Sequence, residues 1–375
     1  MQQLKKQKQP VLICGAGISG LTLAKALQLQ GIQVIVFERD EALEGRPQGY
    51  SLTIQQGRKI LKDIGILEEV FKMKSRCSKY ITMTNEGSEL FRNDFTKKNF
   101  NEQNIPIPRE LLRKIIFDSL EKDTVSWNKK VLNFKIEEDS VLLEFEDSKM
   151  IKGCCVIACD GIRSIFREKL IGDPLKFLNV IAINGIVEID HKLTKNTEFQ
   201  TVDGFSRIFI KPFIEDKSMW QLTFPIEEEA IKKIKSFEEG KEIAFEKVKG
   251  WHSPVVEMVK NTDPSTMRIG GLYDRDPIEK KWKTTLITII GDSAHPMSPF
   301  KGQGANNALD DVSSLMECLN DSKSILEAFE KYENIMIERS KIHILKSRNG
   351  VEFLHTKDVF DKIKVQEYRQ FTEKK

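Results

Sequence analysis

The feature that most constrains the fold is a strand, a glycine-rich turn, a helix and a second strand within residues 10–40, PVLICGAGISGLTLAKALQLQGIQVIVFERD. The apolar run VLIC precedes Gly15-x-Gly17-x-x-Gly20, apolar residues then recur at helical spacing, and VIVFE is a second short apolar run. This order predicts a complete βαβ unit, the building block of a doubly wound, Rossmann-like α/β domain.

The same unit predicts a dinucleotide site. Glycines at these spacings allow a tight turn, a close backbone approach to a pyrophosphate and close helix–strand packing, and the helix start offers N–H groups to the phosphates. Glu38 ends the second strand, where its carboxylate can accept from both hydroxyls of an unphosphorylated ribose, as in FAD or NAD. A chance glycine-rich turn would not bring all these parts into register. The predicted cofactor-binding residues are Gly15, Ala16, Gly17, Ser19, Gly20, Glu38 and Arg39.

A second segment, GCCVIACDGIRSIFREKLIG at residues 153–172, combines an apolar strand with a short helix. The strand ends in Asp160-Gly161, and Arg163 follows at the start of the helical pattern. Taken alone, this is an ordinary strand–turn–helix with an aspartate in the turn.

A third segment, GDSAHPMSPFKGQGANNALDD at residues 291–311, follows the apolar strand TTLITII. Prolines stiffen its loop, two glycines let a planar ring lie against the backbone, and a helix start favours a ring edge that becomes anionic on reduction. The segment therefore predicts a cradle for the ribityl chain and flavin ring of FAD. Its candidate residues are Asp292, Pro299, Gly302, Gly304, Ala305 and Asn306.

Together the three segments resemble the single-component FAD-dependent aromatic hydroxylases of the para-hydroxybenzoate hydroxylase fold, over about Pro10 to Leu319. The stretch IPRELLRKIIFDSLEKDTVSWNKKV and Phe300 are most similar to the tetracycline-inactivating monooxygenases of that family. The resemblance implies that Asp160 and Arg163 serve FAD and nicotinamide binding. It also implies that Arg46 lies near the flavin and that Arg109 touches FAD. Thr53 departs from the pattern, because the best-known member has an aspartate there.

The resemblance further implies a reaction cycle. NAD(P)H visits transiently and reduces FAD, O2 forms a flavin C4a-hydroperoxide, and an oxygen atom passes to an electron-rich aromatic or enol carbon, as in tetracycline inactivation. The flavin carries the chemistry, so no catalytic base is assigned. Two alternatives stay open, namely an FAD-dependent reductase of the same fold and a non-enzymatic relative that binds prenylated proteins.

The strand and helix patterns divide the chain into a FAD-binding domain, an inserted β-sheet substrate domain and C-terminal helices. We expect a disordered lead-in over 1–9, the FAD domain over 10–75, 100–176 and 274–320, and the substrate domain over 76–99 and 177–273. C-terminal helices, packed on the FAD domain or forming a lid, fill 321–375, with Gly350 ending one of them. Candidate substrate contacts are Asn184, Arg207, Phe209, Gln221, Phe224 and Phe300.

Composition limits the possible partners. Lys+Arg 59 against Asp+Glu 56 leaves a net charge of +3, which argues against nucleic acid. The sequence contains no apolar run of membrane-spanning length, no secretory signal pattern and no His/Cys metal motif. We therefore expect a cytoplasmic monomer with reduced cysteines that acts on a small aromatic or polyketide molecule.

Overall fold

The computed structural model describes residues 1–45, 51–94, 104–214 and 216–364. Along these residues the helices and strands are α1 (Gln2–Lys5), β1 (Val11–Cys14), α2 (Ile18–Gln28), β2 (Val34–Phe37), β3 (Ser51–Ile54), α3 (Arg58–Asp63), α4 (Leu67–Lys72), β4 (Lys79–Thr84), β5 (Glu89–Asp94), β6 (Ile105–Pro108), α5 (Arg109–Asp118), β7 (Val125–Ser126), β8 (Val131–Ile136), β9 (Val141–Phe145), β10 (Met150–Gly153), β11 (Cys155–Ala158), α6 (Ile165–Leu170), β12 (Lys176–Glu188), β13 (Thr197–Val202), β14 (Arg207–Pro212), β15 (Lys217–Pro225), α7 (Glu228–Lys232), α8 (Phe237–Val248), α9 (Val255–Asn261), β16 (Arg268–Asp274), β17 (Ile287–Ile289), α10 (Gly304–Asn320), α11 (Ile325–Leu354) and α12 (Val359–Lys364). Short 3-10 turns lie at Pro264–Thr266, Gly291–Ser293 and Pro299–Lys301.

A parallel sheet in the order β17-β11-β1-β2-β7 forms the centre of the first layer. Its strands are short continuous apolar runs because both of its faces are covered. Helices such as α2 pack on it, and the three-stranded sheet β10-β9-β8 contacts it through Phe145, whose ring centroid lies 4.7 Å from that of Phe37. α2 crosses from β1 to β2, and α10 packs against α2. The predicted α/β fold class and the βαβ unit are confirmed, and the strand ends carry the three motif segments to one edge.

A second, seven-stranded sheet in the order β16-β12-β15-β14-β13-β4-β5 lies beside the first layer. Its outer face packs on α8 and α9 and forms a separate hydrophobic core around the fully buried Trp220. Its inner face, defined by Gln200, Arg207, Phe209, Lys211, Gln221, Thr223 and Asn184, carries mostly polar side chains. A sheet of this kind buries its apolar outer face, and its polar inner face can cover a binding site.

The C-terminal part is a long helix, α11, followed by the short α12. The end of α11 and α12 cover Val202 at one end of the inner face, where Leu354, Val359 and Ile363 join a small apolar cluster. Among the described residues, no helix has the length and apolar character that crossing a membrane requires.

Two sequence expectations about these segments are wrong. The lead-in is not disordered at its start, because Gln2–Lys5 is helical and Leu4 is buried in the main core. Gly350 does not end a helix, because α11 continues to Leu354 with Gly350 buried inside it. A glycine in a helix interior costs about 1 kcal/mol relative to alanine, which tertiary packing readily offsets.

We expect the core of the second sheet to depend on one buried hydrogen bond. Trp220 Nε1 donates to Thr262 Oγ1 at 2.7 Å, and both residues are buried. Thr262→Val keeps the shape but leaves the indole N–H without an acceptor, which should cost about 1–3 kcal/mol of unfolding free energy. Urea unfolding of Trp220→Phe, Thr262→Val and the double variant checks this, since additive losses would contradict a direct coupling.

Candidate cofactor and substrate site

The glycine turn after β1 has the geometry that its spacing predicts. Gly15 has φ +108°, and a Cβ there would lie 2.2 Å from the Cys159 carbonyl oxygen at the end of β11. A Cβ on Gly20 would lie 2.0 Å from the Gly15 carbonyl oxygen. A Cβ on Gly17, by contrast, would meet none of the described residues within 4 Å. Two glycines therefore permit backbone contacts, and the third leaves open space at the start of α2.

Glu38 is fixed beside this turn. Its Oε2 accepts a hydrogen bond from the Ala16 amide at 2.8 Å, and its Oε1 accepts from the Asp40 amide at 3.1 Å. Arg113, whose Nη2 lies 4.0 Å from the Glu38 carboxylate, donates from Nε to the Ala16 carbonyl at 2.7 Å. Arg113 was missed by sequence reasoning, although it lies one helical turn after Arg109. Arg109 itself begins α5 and is half-buried.

Ser293 joins the second and third segments. Its hydroxyl donates to Asp160 Oδ1 at 2.9 Å and accepts from the Gly161 amide at 2.8 Å. Burial raises the pKa of Asp160 above its ordinary value, and hydrogen bonds from Ser164 and Ser293 oppose that rise. The turn at Gly291 also approaches the first segment, since a Cβ there would lie 3.0 Å from Ser19 Oγ. The three motif segments therefore converge on one place.

Asp311 holds the third segment in position from α10. Its carboxylate accepts from the Gly291 amide at 2.6 Å and from His295 Nε2 at 2.7 Å, and it pairs with Arg339 of α11. Burial by itself raises the pKa of Asp311, but His295, Arg339 and the amide outweigh burial and keep the pKa below its ordinary value. Next to this anchored turn, Asp292 is exposed and therefore accessible to a ligand.

Asn306, in the first turn of α10, joins the proline loop to β3. Its Nδ2 donates to the Thr53 carbonyl at 2.8 Å and to the Gly302 carbonyl at 3.0 Å, and its Oδ1 accepts from the Gln55 amide at 2.7 Å. Gly302 has φ +60°, and a Cβ there would meet no atom within 4 Å in the part of the chain that the structure describes. Neither α2 nor α10 has a side-chain cap at its N-terminus.

The inner face is anchored to this junction at one end. Lys211, 2 % exposed, donates to the Leu52 carbonyl at 3.1 Å and to Thr53 Oγ1 at 2.5 Å, and it pairs with Glu198 at 3.1 Å. Met219, opposite Lys211 in the sheet, accepts from the Ser51 amide through Sδ at 3.2 Å. Thr53 departs from the family pattern, and its hydroxyl accepts a hydrogen bond from Lys211 of the seven-stranded sheet.

The other end of the inner face meets the proline loop and α11. The guanidinium carbon of Arg207 lies 4.8 Å from the ring centroid of Phe209 and 5.3 Å from that of Phe300, and its Nε donates to Gln200. His355, at the end of α11, packs edge-on against Phe300 at 5.4 Å and contacts Thr223 Oγ1 through Nε2. Burial lowers the pKa of His355 to about 4, and Arg207 adds to the effect, so the imidazole is neutral at pH 7.

The remaining substrate candidates divide between the two faces. Asn184 and Gln221 face each other across β12 and β15 on the inner face, and Gln221 Nε2 donates to Asn184 Oδ1 at 2.9 Å. The prediction that Phe224 faces a pocket is wrong. Side chains alternate along a strand, so Phe224 lies on the outer face, buried in the apolar core.

The other predicted residues take these positions. Arg46 lies outside the described residues. Arg163 lies close enough to Tyr273 of β16 to lower the pKa of that phenol, although burial dominates and raises it. The described residues contain no cluster of His, Cys, Asp or Glu that could hold a metal ion. All six cysteines are free.

These features fit FAD on several grounds. The space at Gly17 and the uncapped start of α2 suit a pyrophosphate, and the buried carboxylate of Glu38 suits a ribose. The exposed Asp292, the open backbone at Gly302 and the start of α10 suit the ribityl chain and the ring. Sequence reasoning missed Lys211 and His355, because neither lies in a motif.

Comparisons with known proteins agree with this geometry. Residues 8–322 match the family described as FAD binding domain. The aurachin C monooxygenase/isomerase of Stigmatella aurantiaca is 25% identical over 333 residues, covering 88% of this chain and 85% of that protein. The FAD-dependent urate hydroxylase of Mycolicibacterium vanbaalenii is 26% identical over 362 residues, covering 93% and 89%.

Two solved structures share the fold. Klebsiella pneumoniae HpxO complexed with FAD and uric acid superposes with a TM-score of 0.87 at 21% identity, covering 100% of this chain and 95% of that one. The tetracycline destructase Tet(51) superposes with a TM-score of 0.75 at 19% identity, covering 97% and 96%.

The glycine geometry predicts that two similar substitutions have opposite effects. Gly20→Ala should destabilise the protein, because its Cβ would collide with backbone. Gly17→Ala should leave the stability of the FAD-free protein within about 0.5 kcal/mol and weaken FAD binding at least about tenfold, because the new methyl group occupies the ligand's space. Thermal unfolding of the FAD-free protein and FAD titration measure both quantities. Unchanged FAD affinity in Gly17→Ala would contradict a pyrophosphate there.

Lys301, at the end of the proline loop, should give stability a distinct pH dependence. Burial, with a contribution from Lys346, lowers the pKa of Lys301 to about 7. The unfolded chain then holds more protons than the folded protein between about pH 7 and 10, so stability should rise with pH across that window. In urea unfolding the stability gained by Lys301→Met should therefore shrink from pH 7 to pH 10. The exposed-lysine control Lys260→Met should show no such trend, and parallel curves for both variants would contradict the prediction.

Proposed function

This chain belongs to the FAD binding domain family and is an FAD-dependent monooxygenase, and we propose that it consumes NAD(P)H to hydroxylate an electron-rich aromatic or enolic small molecule. The observation that carries the proposal is the convergence of three distant segments under a polar sheet face. Ser293 bonds Asp160, Gly15 abuts Cys159, and Asn306 ties the proline loop to β3. One extended cofactor, with a substrate above its ring, would contact all three segments at once.

Bound FAD would accept a hydride from NAD(P)H and activate O2 for insertion into the substrate. The protein's own residues would bind, orient and shield. Glu38 and the start of α2 would hold the adenosine and pyrophosphate, and Asp292 with the start of α10 would hold the ribityl chain and ring edge. The sheet would exclude water above the ring, which strengthens every electrostatic contact within the site.

Arg207 would activate the substrate. A guanidinium held between Phe209 and Phe300 stabilises a deprotonated phenol or enol oxygen and lowers the pKa of that hydroxyl. The oxyanion makes the ring carbon beside it richer in electrons and so more reactive toward an electrophilic oxygen. Since the His355 imidazole is neutral, it would not compete with Arg207 for the anion.

NAD(P)H would visit the site transiently. The described residues contain a single glycine-turn βαβ unit, and we assign that unit to FAD. Asp160 and Arg163, at the edge of the cofactor cradle, remain the proposed docking point for the nicotinamide nucleotide. Glu38 does not decide between NADH and NADPH, because it serves the FAD ribose.

The candidate substrates are tetracyclines, which the sequence first suggested, and two other compounds, urate and aurachin C. Support for tetracyclines is the shared fold with Tet(51) and the similarity of the stretch that contains Arg109 and Arg113. Support for urate or for aurachin C comes from the relatives that are named as urate hydroxylase and aurachin C monooxygenase/isomerase.

We expect the purified protein to be yellow and to consume O2 with NADH or NADPH when a substrate is present. An oxygen electrode with a panel of urate, 3-amino-4-hydroxybenzoate and tetracycline checks this, with product identified by mass spectrometry as substrate plus one oxygen atom. Substrate reduction without oxygen uptake would favour the reductase alternative. A colourless protein that cannot be reconstituted with FAD would favour the binding-protein alternative.

A further inference from the structure

The inner face of the seven-stranded sheet consists of three rows of side chains across the strands. One outer row holds Lys211 and Met219, which bond to β3. The other holds Arg207 and Thr223, which contact Phe300 and His355. The middle row runs through Phe209, Gln221 and Asn184.

The middle row lies above the place where Asn306 joins β3 to the proline loop. Its two neighbouring rows are fixed to those two elements, Lys211 to Thr53 and Arg207 to Phe300. Asn306 Nδ2 donates to both the Thr53 and the Gly302 carbonyls, so β3 and the proline loop form one continuous surface, the floor of the site. A ring bound on that floor would therefore face the middle row.

The middle row carries a hydrogen-bond donor for which the described residues provide no acceptor. Asn184 is 1 % exposed, and its Oδ1 is already used by Gln221. Its Nδ2 has no hydrogen-bond partner among the residues that the structure describes. A buried N–H group without a partner destabilises the protein, whereas two apolar side chains of similar shape would pack there without that cost. A purely structural role for the Asn184–Gln221 pair does not account for this donor.

We propose that Asn184 Nδ2 is a specificity-determining donor that binds a carbonyl or lactam oxygen of the substrate. This inference rests on the proposed function, whose substrate site it describes further. Asn184 and Arg207 lie two strands and one row apart, about 12 Å at the backbone. Their side chains therefore bind the two ends of one planar, fused-ring molecule, with the anionic or hydroxyl oxygen at Arg207 and a carbonyl-type acceptor at Asn184.

Two probes that differ only in the acceptor test this assignment. 6-Acetyl-2-naphthol carries a carbonyl at the end of the ring system opposite its hydroxyl, and 6-ethyl-2-naphthol lacks only that carbonyl oxygen. Titration of each into the FAD-loaded protein, followed by the flavin absorbance spectrum, gives a dissociation constant without turnover. The wild type should bind the ketone about tenfold more tightly than the ethyl compound, the gain expected from one buried hydrogen bond.

Two variants separate this donor from general packing. In Asn184→Leu/Gln221→Leu both polar partners become apolar, and the preference for the ketone over the ethyl compound should fall to about twofold or less. Asn184→Asp keeps the shape and the bond from Gln221 but replaces the donor by an acceptor, so it should weaken binding of the ketone alone. Thr201→Val, a polar-to-apolar change on the outer face, is the matched control and should keep the wild-type preference.

Several results would overturn the inference. They are equal affinities of the wild type for the two probes, no spectral change with either probe, and a preference retained in both Asn184 variants. The wild-type comparison and Asn184→Asp decide the matter if the double variant fails to fold. Failure of the proposed function looks different, since the protein would then discriminate between the probes yet take up no oxygen with any substrate.

Discussion

The contact on which the rest of the site depends is the approach of the first glycine turn to the end of β11. Gly15 comes so close to the Cys159 carbonyl that no side chain fits between them. That contact places Asp160 beside the start of α2, and Ser293 then bonds Asp160 from the third segment. A cofactor that spans all three segments needs them at fixed distances, and a backbone contact is stiffer than any side-chain contact that could replace it.

Two buried charged groups around the cradle, Asp311 and Lys211, are paired, which keeps the cradle rigid. Asp311 bonds a backbone amide, a histidine and an arginine, and Lys211 bonds Glu198 and two oxygens of β3. A buried ion pair contributes little net stability unless its hydrogen bonds are complete, but it fixes geometry well. These pairs link α10 to α11 and the substrate sheet to the cofactor layer. The two layers of the protein are joined through the site itself.

The two faces of the seven-stranded sheet divide stability from recognition. The outer face, with Trp220 and Phe224, forms an apolar core on α8 and α9 and does not need a ligand. The inner face instead combines an arginine beside two aromatic rings, a neutral histidine and an amide donor that finds no acceptor within the described ranges. Burying these polar groups lowers the stability of the ligand-free protein but lets the face bind a polar ring. The apolar outer face supplies stability that offsets this loss.

The sequence by itself determined the βαβ unit, the three motif segments and their order, because turn glycines, strand ends and helix starts are local features with local causes. It could not assign Phe224 to the correct face, since a shift of one residue in strand register reverses the direction of every side chain. Nor could it find Arg113, Lys211 or His355, whose partners are 97, 158 and 132 residues away along the chain. The expectations for Gly350 and for the first residues were wrong for a related reason, because packing on the core outweighed the local preference. For a glycine inside a helix that preference is about 1 kcal/mol. Only the tertiary structure decided which side chains meet over the ring, because that depends on how two sheets and a distant helix pack together.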